Sequence, residues 1–387
     1  MPPEPTSAPL RVVHFVSGGG TGSTRVALDL ALAQAQRPDW QPHLILRSKG
    51  RPLQAVMQRQ IEHVGLPLHW VPNLWPRSRV MRRIEELCEQ IRPTVFFAHG
   101  YSEHLWGRRA ALRQGVPLLI HVEHNVERYL PWRVWAARRL ATRTQATVCV
   151  SSAVEQNVRR LGIGGQRIVT VHNGVDAGRF RCQTPLAGRT ADILMPARFA
   201  RNKDHPTLIR AARLLLERGW RGRLLLAGGG KRRHRRRCER LVATLGLSEH
   251  VLLLGKVDDL PERLARCRVA ALASWQEGLP LVLVEAMSAG CAVVASAIPG
   301  ITDVLHGDGA GANGWLFPPG DPVGAANALW QALSDDAEAQ RRADAGQRNA
   351  NGHFSLAAMV GRYDEVVQAL LPATSGRPPA GTQPAAR

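Results

Sequence analysis

SWQEGLPLVLVEAMSAGCAVVAS, residues 274–296, leaves an apolar run (VAALAS, 269–274), turns through Gly278 and Pro280, becomes a helical pattern ending near Gly290, and enters a second apolar run. Strand, loop, helix and strand in that order read as one βαβ unit of a parallel sheet. Glu277 then sits in the loop at a strand's carboxyl end, and Glu285 lies about one turn inside the helix. The helix start between them offers free backbone N–H groups to an anion. Carboxylates on either side of such an N-terminus can receive hydroxyl groups flanking a bound phosphate. An isolated glutamate pair would read instead as capping or surface residues.

The same alternation extends outward in both directions. RVVHFV (11–16), PHLILR (42–47), TVFFAH (94–99), VPLLIHV (116–122) and ATVCVS (146–151) form one series of strand-like runs, with 3.6-periodic segments such as RVALDLALAQAQ (25–36) between them. A second series runs through DILMPA (192–197), RLLLAG (223–228), VLLLG (251–255), VAALAS (269–274) and CAVVAS (291–296). The pattern predicts an α/β protein of two Rossmann-like, doubly wound domains, spanning 10–180 and 181–353, with ligands at the strands' carboxyl ends in a cleft between them. The boundary falls in the Gly/Pro/Thr-rich stretch 173–191, and the amphipathic segment 354–371 is expected to cross back to the first domain. Residues 1–9 and 372–387 have a disordered composition.

A chain of 387 residues accommodates two such domains, and 44% hydrophobic with 5% aromatic residues describes an ordinary globular protein. The net charge is +20, favouring acidic partners, although only four of the 51 basic residues are lysine, as a GC-rich coding sequence would also produce. The run KRRHRRR (231–237) invites a nucleic-acid reading, but it lacks interleaved aromatics and any docking motif, so no nucleic-acid partner is expected. It follows the glycines 228–230, which are the functional candidates there, and Lys231 is its one candidate for phosphate contact. Six scattered cysteines read as small buried residues in a reducing compartment. The N-terminus lacks a signal-peptide layout, and no apolar run nears the ~18 residues of a spanning helix. A cytoplasmic protein is expected, with a peripheral place on the cytoplasmic face of the inner membrane as the second reading.

Further motifs lie at strand ends. In ARFARNKDHPTLIRAA (197–212), Arg198 and Lys203 are two cations after a strand, suited to a diphosphate leaving group. No D-x-D is present to hold a divalent metal there. VSGGGTGSTRVALDLA (16–31) is a glycine-rich strand-to-helix turn that lets backbone approach a phosphate or sugar. The basic LILRSKG at the end of the second strand lacks the acidic residue a dinucleotide site would place there, which counts against NAD. His99, His104, His121 and His124 cluster at the middle strands, and His124, in HVEHNVERY, is placed to bond a substrate hydroxyl. No nucleophile-elbow arrangement is visible, which disfavours acyl transfer.

In this order, EGLPLVLVEAMSAGCAVVAS, HNGVD (172–176), ARFARNKDHPTLIRAA and LLLAGGGKRR…LGLSEHVLLLG resemble the second half of a GT-B glycosyltransferase of family 4, the glycosyl transferases group 1. The first half resembles it more loosely, through its glycine-rich loop and VEHN. The resemblance implies a retaining, metal-independent transfer of a hexosyl-type sugar from a nucleotide-diphosphate sugar, with no cofactor, onto a glycan or lipid-linked acceptor of envelope polysaccharide or lipopolysaccharide. It implies that Glu285 accepts hydrogen bonds from the ribose, that Glu277 contacts the donor sugar, and that Arg198 and Lys203 neutralise the diphosphate. Gly278, Leu279 and Pro280 would border the phosphates and sugar, Gly22 would lie near the diphosphate, and His124 near the reacting sugar. Two departures stand out: Thr21 and Gly22 follow an extra GGG, and Gly229 stands where relatives often carry an acid.

Two alternatives share this scaffold: a nucleotide-sugar 2-epimerase and a non-catalytic nucleotide-sugar binder. The set Arg198, Lys203, Glu277 and Glu285 speaks for catalysis, and HNGVD for transfer. Residues 1–182 hold 25 Lys/Arg against 12 Asp/Glu. NLWPRSRVMRRIEE (73–86) and LPWRVWAARRLATR (130–143) combine Trp with Arg at helical spacing, so each is either an interfacial helix on an anionic membrane or a half-buried helix with a basic solvated face.

Overall fold

The structure is a computed structural model that describes residues 8–371 apart from 20, 49–52, 54, 74–76, 102 and 307–312. The expected disorder at 1–7 and 372–387 lies outside the described residues, as do residues 74–76 of the first tryptophan segment. Seven parallel strands, β1 (Leu10–Ser17), β2 (Trp40–Arg47), β3 (Leu68–Val71), β4 (Val95–His99), β5 (Leu118–Glu123), β6 (Ala146–Cys149) and β7 (Arg167–Thr170), form one sheet in the order 3-2-1-4-5-6-7. They alternate with α1 (Gly22–Ala35), α2 (Ala55–Val64), α3 (Arg77–Ile91), α4 (Glu103–Arg113), α5 (Pro131–Ala141) and α6 (Ser152–Leu161).

The second sheet has six parallel strands in the order 10-9-8-11-12-13: β8 (Thr190–Pro196), β9 (Leu224–Ala227), β10 (Val251–Gly255), β11 (Cys267–Leu272), β12 (Ala292–Ser296) and β13 (Trp315–Phe317). Its helices are α7 (His205–Glu217), α8 (Arg232–Thr244), α9 (Leu260–Arg266), α10 (Leu281–Ser288), α11 (Pro299–Leu305), α12 (Pro322–Ser334) and α13 (Asp336–Gly352). β4, β5, β11 and β12 are buried along their whole length, as strands covered by helices on both faces must be. Their continuous apolar runs are why the sequence reading locates them.

That reading lacks β3, β7 and β13, and each is a sheet edge. With three or four residues and one partner strand apiece, they carry too little apolar pattern to be seen locally. In each sheet the chain winds outward from one strand and returns to that strand's other side, so the order reverses between β1 and β4 and between β8 and β11. Such a reversal opens a crevice at the carboxyl edge.

The final helix, α14 (Leu356–Gln368), packs on the first sheet. Met359, Tyr363 and Val367, one helical stripe, are buried there, with the Tyr363 ring 5.9 Å from Phe97. Arg37 and Asp364 pair beside them. The linker between sheets joins the same helix: Val175 N–H donates to Phe354 C=O at 2.9 Å, and Leu356 N–H to Val175 C=O at 2.8 Å. Farther round, Asp303 on α11 accepts from Ser152 N–H and Oγ at the start of α6, both at 2.7 Å.

Candidate active site

The loops at the two reversal points face one another across a cleft of about 460 Å³. On the second domain, the β8–α7 loop is tied to the β11–α10 loop. Asp204 N–H donates to Ala273 C=O at 2.8 Å, and Trp275 N–H to Asn202 C=O at 2.9 Å. This pairing brings Lys203 Nζ onto Glu277 Oε1, and Ser274 Oγ donates to the same oxygen at 2.6 Å. Only 13% of the Lys203 side chain and 10% of that of Glu277 are exposed, so each charge relies on its partner. Oε2 of Glu277 carries no hydrogen bond among the described residues and can accept from a hydroxyl. Arg198 is exposed on the cleft and has no acidic partner within 4.0 Å among the described residues.

Two helices point their N-termini into this space. α10 starts after Pro280, which caps it with no side-chain hydrogen bond, and Leu281 and Val282 line the cleft. From the other domain comes α1. Thr21 accepts from Thr24 N–H at 3.3 Å, while Thr24 Oγ1 donates to Ser17 C=O at 2.7 Å, which sets Gly22 and Ser23 on the cleft wall. Two helix N-termini, Arg198 and the Glu277-paired Lys203 thus meet in one cleft that Glu103 and Glu127 also line, a setting in which helix starts and cations can receive an anion.

His124 follows β5 and also lines the cleft. It is buried, and desolvation pushes its imidazole down to about 4, so the ring is neutral at ordinary pH. A side chain on Gly278 would overlap the His124 carbonyl oxygen, so a glycine is what lets the two domains meet at this point. The histidines expected as one cluster divide in two. His99 bonds His124, whereas His104 and His121 stack on each other at 4.2 Å beside the buried Arg108.

Gly22, His124, Arg198, Lys203, Glu277, Gly278, Leu279 and Pro280 therefore share one cavity. Glu285, Gly229 and Lys231 do not line it. Gly229 and Lys231 are exposed, and the glycines flanking Gly229 let this loop run along the β8–α7 backbone, with Phe199 N–H donating to Gly229 C=O at 2.7 Å. The arginines of 231–237 fall on α8 and are largely solvent-facing. Glu285 sits on α10 near Arg179, Arg25 and Asp29. Burial raises its carboxyl to about 7, with the two arginines partly offsetting that push.

Sequence reasoning did not pick out Ser274 or Gln34. Gln34 does leave a signal: a polar residue in the same helical register as the buried Ala27, Leu30 and Ala31. A larger hollow of about 620 Å³ lies between the linker and α13, but none of the converging cations, carboxylates or helix starts reaches it.

The description Glycosyltransferase Family 4 matches residues 20–179, and Glycosyl transferases group 1 matches residues 190–335. The lipopolysaccharide core biosynthesis glycosyltransferase LpsE of Rhizobium meliloti is 29% identical over 363 residues, covering 92% of this chain and 98% of that protein. Exopolysaccharide phosphotransferase SCO2592 of Streptomyces coelicolor is 35% identical over 182 residues, 46% of this chain, and the chain spans only 18% of its length. Among solved structures, Anabaena HepE in complex with UDP-glucose superposes with a TM-score of 0.80 at 19% identity, over 93% of this chain and all of that one. With its two halves matched in order by the two family descriptions, and with 93% of it superposing on that structure, the chain belongs to glycosyltransferase family 4, the glycosyl transferases group 1, and has the GT-B fold.

Proposed function

We propose that the protein is a retaining glycosyltransferase that moves a hexosyl-type sugar from a nucleotide-diphosphate sugar to a glycan or lipid-linked glycan in bacterial envelope polysaccharide or lipopolysaccharide synthesis. The observation that carries this reading is the meeting of two helix N-termini, Arg198 and Lys203 in one cleft, set against the free oxygen of Glu277. The names of LpsE and of the HepE complex support the sugar chemistry and a nucleotide-sugar donor. A second hollow of about 450 Å³ shares Glu277 with the donor cleft and is lined by Arg128, Asn157 and Trp275. A place for an acceptor there favours transfer over a 2-epimerase or a simple binder.

Glu277 is held by Lys203 and Ser274, so it suits sugar positioning better than nucleophilic attack. In a front-face displacement the bond from C1 to the phosphate oxygen breaks with its electrons leaving on the phosphate. The acceptor oxygen bonds C1 on the same face, and its proton passes to the departing phosphate oxygen. Arg198, Lys203 and the helix starts stabilise the charge that forms, a role a divalent metal plays elsewhere. The test is a screen of UDP-, GDP- and ADP-sugars for hydrolysis and transfer in EDTA, with Glu277→Ala as control. Binding and turnover of no donor would overturn the assignment, and a glycosyl adduct trapped on wild-type Glu277 would overturn the front-face step.

Glu285 would accept from the nucleotide ribose. Its carboxyl titrates near 7 because burial favours the neutral form, so in the empty protein this group costs stability as pH rises from its unfolded value towards 7. Hydroxyl donors favour the ionised form. The donor KM should therefore fall as pH rises through about 7, and Glu285→Gln should raise it about 10- to 100-fold and flatten that dependence. A wild-type donor KM that is flat from pH 5.5 to 8.5 removes this role.

The protein is further proposed to rest on an anionic membrane at the cytoplasmic face through α5, which buries only Ala137 and Ala141. Leu130, Trp132 and Trp135 are 54–58% exposed, and Arg139 stacks on Trp135 at 4.0 Å. Arg128, Arg139 and Arg143 have no acidic partner within 4.0 Å among the described residues, so apolar and cationic groups share one surface beside the acceptor hollow. α3 buries Val80, Ile84, Leu87 and Cys88, and so matches the half-buried alternative. Trp132→Ser with Trp135→Ser should lower binding to phosphatidylglycerol vesicles at least tenfold while transfer to a soluble acceptor persists. Equal sedimentation of wild type and variant would refute the patch.

A further inference from the structure

Behind His124 lies a row of buried polar side chains that the proposed reaction does not use. His124 Nε2 is 3.1 Å from His99 Nδ1, His99 Nε2 is 3.1 Å from His14 Nδ1, and His14 Nε2 is 2.8 Å from Gln34 Oε1. All four residues are buried, Gln34 completely. The His14 ring stacks on Phe97 with centroids 4.7 Å apart and planes 3° from parallel, which fixes its orientation. Burial pushes His14 and His124 down to about 4 and His99 well below its usual value, so all three rings are neutral.

A neutral imidazole has one N–H donor and one acceptor nitrogen. With the Gln34 amide oxygen turned to His14, which leaves Gln34 Nε2 buried with no partner among the described residues, His14 donates from Nε2 to that oxygen and accepts at Nδ1. His99 must then donate from Nε2 to His14 and accept at Nδ1, and His124 must donate from Nε2 to His99. That leaves Nδ1 of His124 as an acceptor, and this atom is buried with no partner among the described residues, on a residue that lines the cleft.

We propose that Gln34, through His14 and His99, sets the tautomer of His124, leaving its Nδ1 lone pair to accept a hydrogen bond from a hydroxyl of the donor sugar. Gln34, His14 and His99 are positioning residues in this arrangement, and His124 is the group that touches substrate. The orientation of one amide on α1, on the same face of the first sheet, is thereby read out in the cleft as an acceptor rather than a donor. The inference rests on the glycosyltransferase reading only for what His124 meets, and the tautomer itself is independent of it.

The test combines histidine 15N spectra with kinetics, using Gln34→Met, which keeps the volume of the side chain and removes the acceptor. His124 is assigned from the spectrum of His124→Gln. In the wild type, His14, His99 and His124 should all carry the proton on Nε2. In Gln34→Met, His124 should become a mixture of tautomers, and kcat should fall about tenfold while the donor KM changes less than twofold. Gln34→Glu, assayed at a pH where its carboxylate is ionised and can only accept, should restore the Nε2–H form and most of kcat. A wild-type His124 protonated on Nδ1, or one whose tautomer is unmoved in Gln34→Met, overturns the proposal. A tautomer that shifts with kcat unchanged leaves the relay standing and removes the proposed contact of His124 with the sugar.

Discussion

Lys203→Ala is expected to lower kcat about 100- to 1,000-fold, the usual consequence of removing one group that stabilises leaving-group charge in a water-poor site. The effect should exceed that of a surface lysine because two losses coincide. The diphosphate loses a cation, and Glu277, about one-tenth exposed, loses the partner that neutralises it. Lys203→Arg should recover only part of the activity, since a planar guanidinium cannot occupy the compact position of an ammonium between Glu277 and a phosphate. Single-turnover assays with saturating donor isolate the chemical step. A Lys203→Ala enzyme within threefold of wild-type kcat, folded by thermal melting, would show that this cation is not in the charge-bearing position.

Gly278→Ala is expected to reduce kcat/KM about 100-fold while each domain's core stays intact. The added methyl would overlap the carbonyl oxygen of His124 and meet Asn125 Cα at 3.2 Å. Backbone atoms cannot rotate away as a side chain can, so the domains must part or the β11–α10 loop must shift. A displacement of about 1 Å at the reacting groups is enough for such a loss. Gly361→Ala is the control: it lies on the exposed face of α14, where a Cβ meets nothing within 4 Å. It should retain full activity and melt at the same temperature or slightly higher. Wild-type kinetics in Gly278→Ala would mean that the domain contact seen at His124 is not the one used in turnover.

The two predictions differ in how far they could be foreseen. Lys203 and Glu277 each stand in a strand-to-helix turn whose flanking runs are apolar and periodic, so both turns are visible in the sequence. That the ammonium lies on the carboxylate depends on the pairing of two loops through Asp204 with Ala273 and Trp275 with Asn202. Neither bond has a local signature. Gly278 could be read as a turn residue, but the need for glycine comes from the other domain.

What the sequence by itself determined was the set of elements that are long and locally patterned: the inner strands, the helices between them and the strand-to-helix loops that carry Glu277, Arg198, Lys203 and Gly22. Periodic burial and strand-end turns are properties of neighbouring residues, so they survive without the fold. The tertiary structure alone decided the edge strands β3, β7 and β13, which one neighbour's ladder rather than their own pattern holds in place. It alone separated the helices of the two Trp- and Arg-containing segments, 73–86 and 130–143, by burying an apolar stripe of α3 and exposing Trp132 and Trp135 of α5. It alone aligned Gln34, His14, His99 and His124, because hydrogen bonds between a helix side chain, one inside β1, one at the end of β4 and one just after β5 follow the order of strands in the sheet and not their order in the chain.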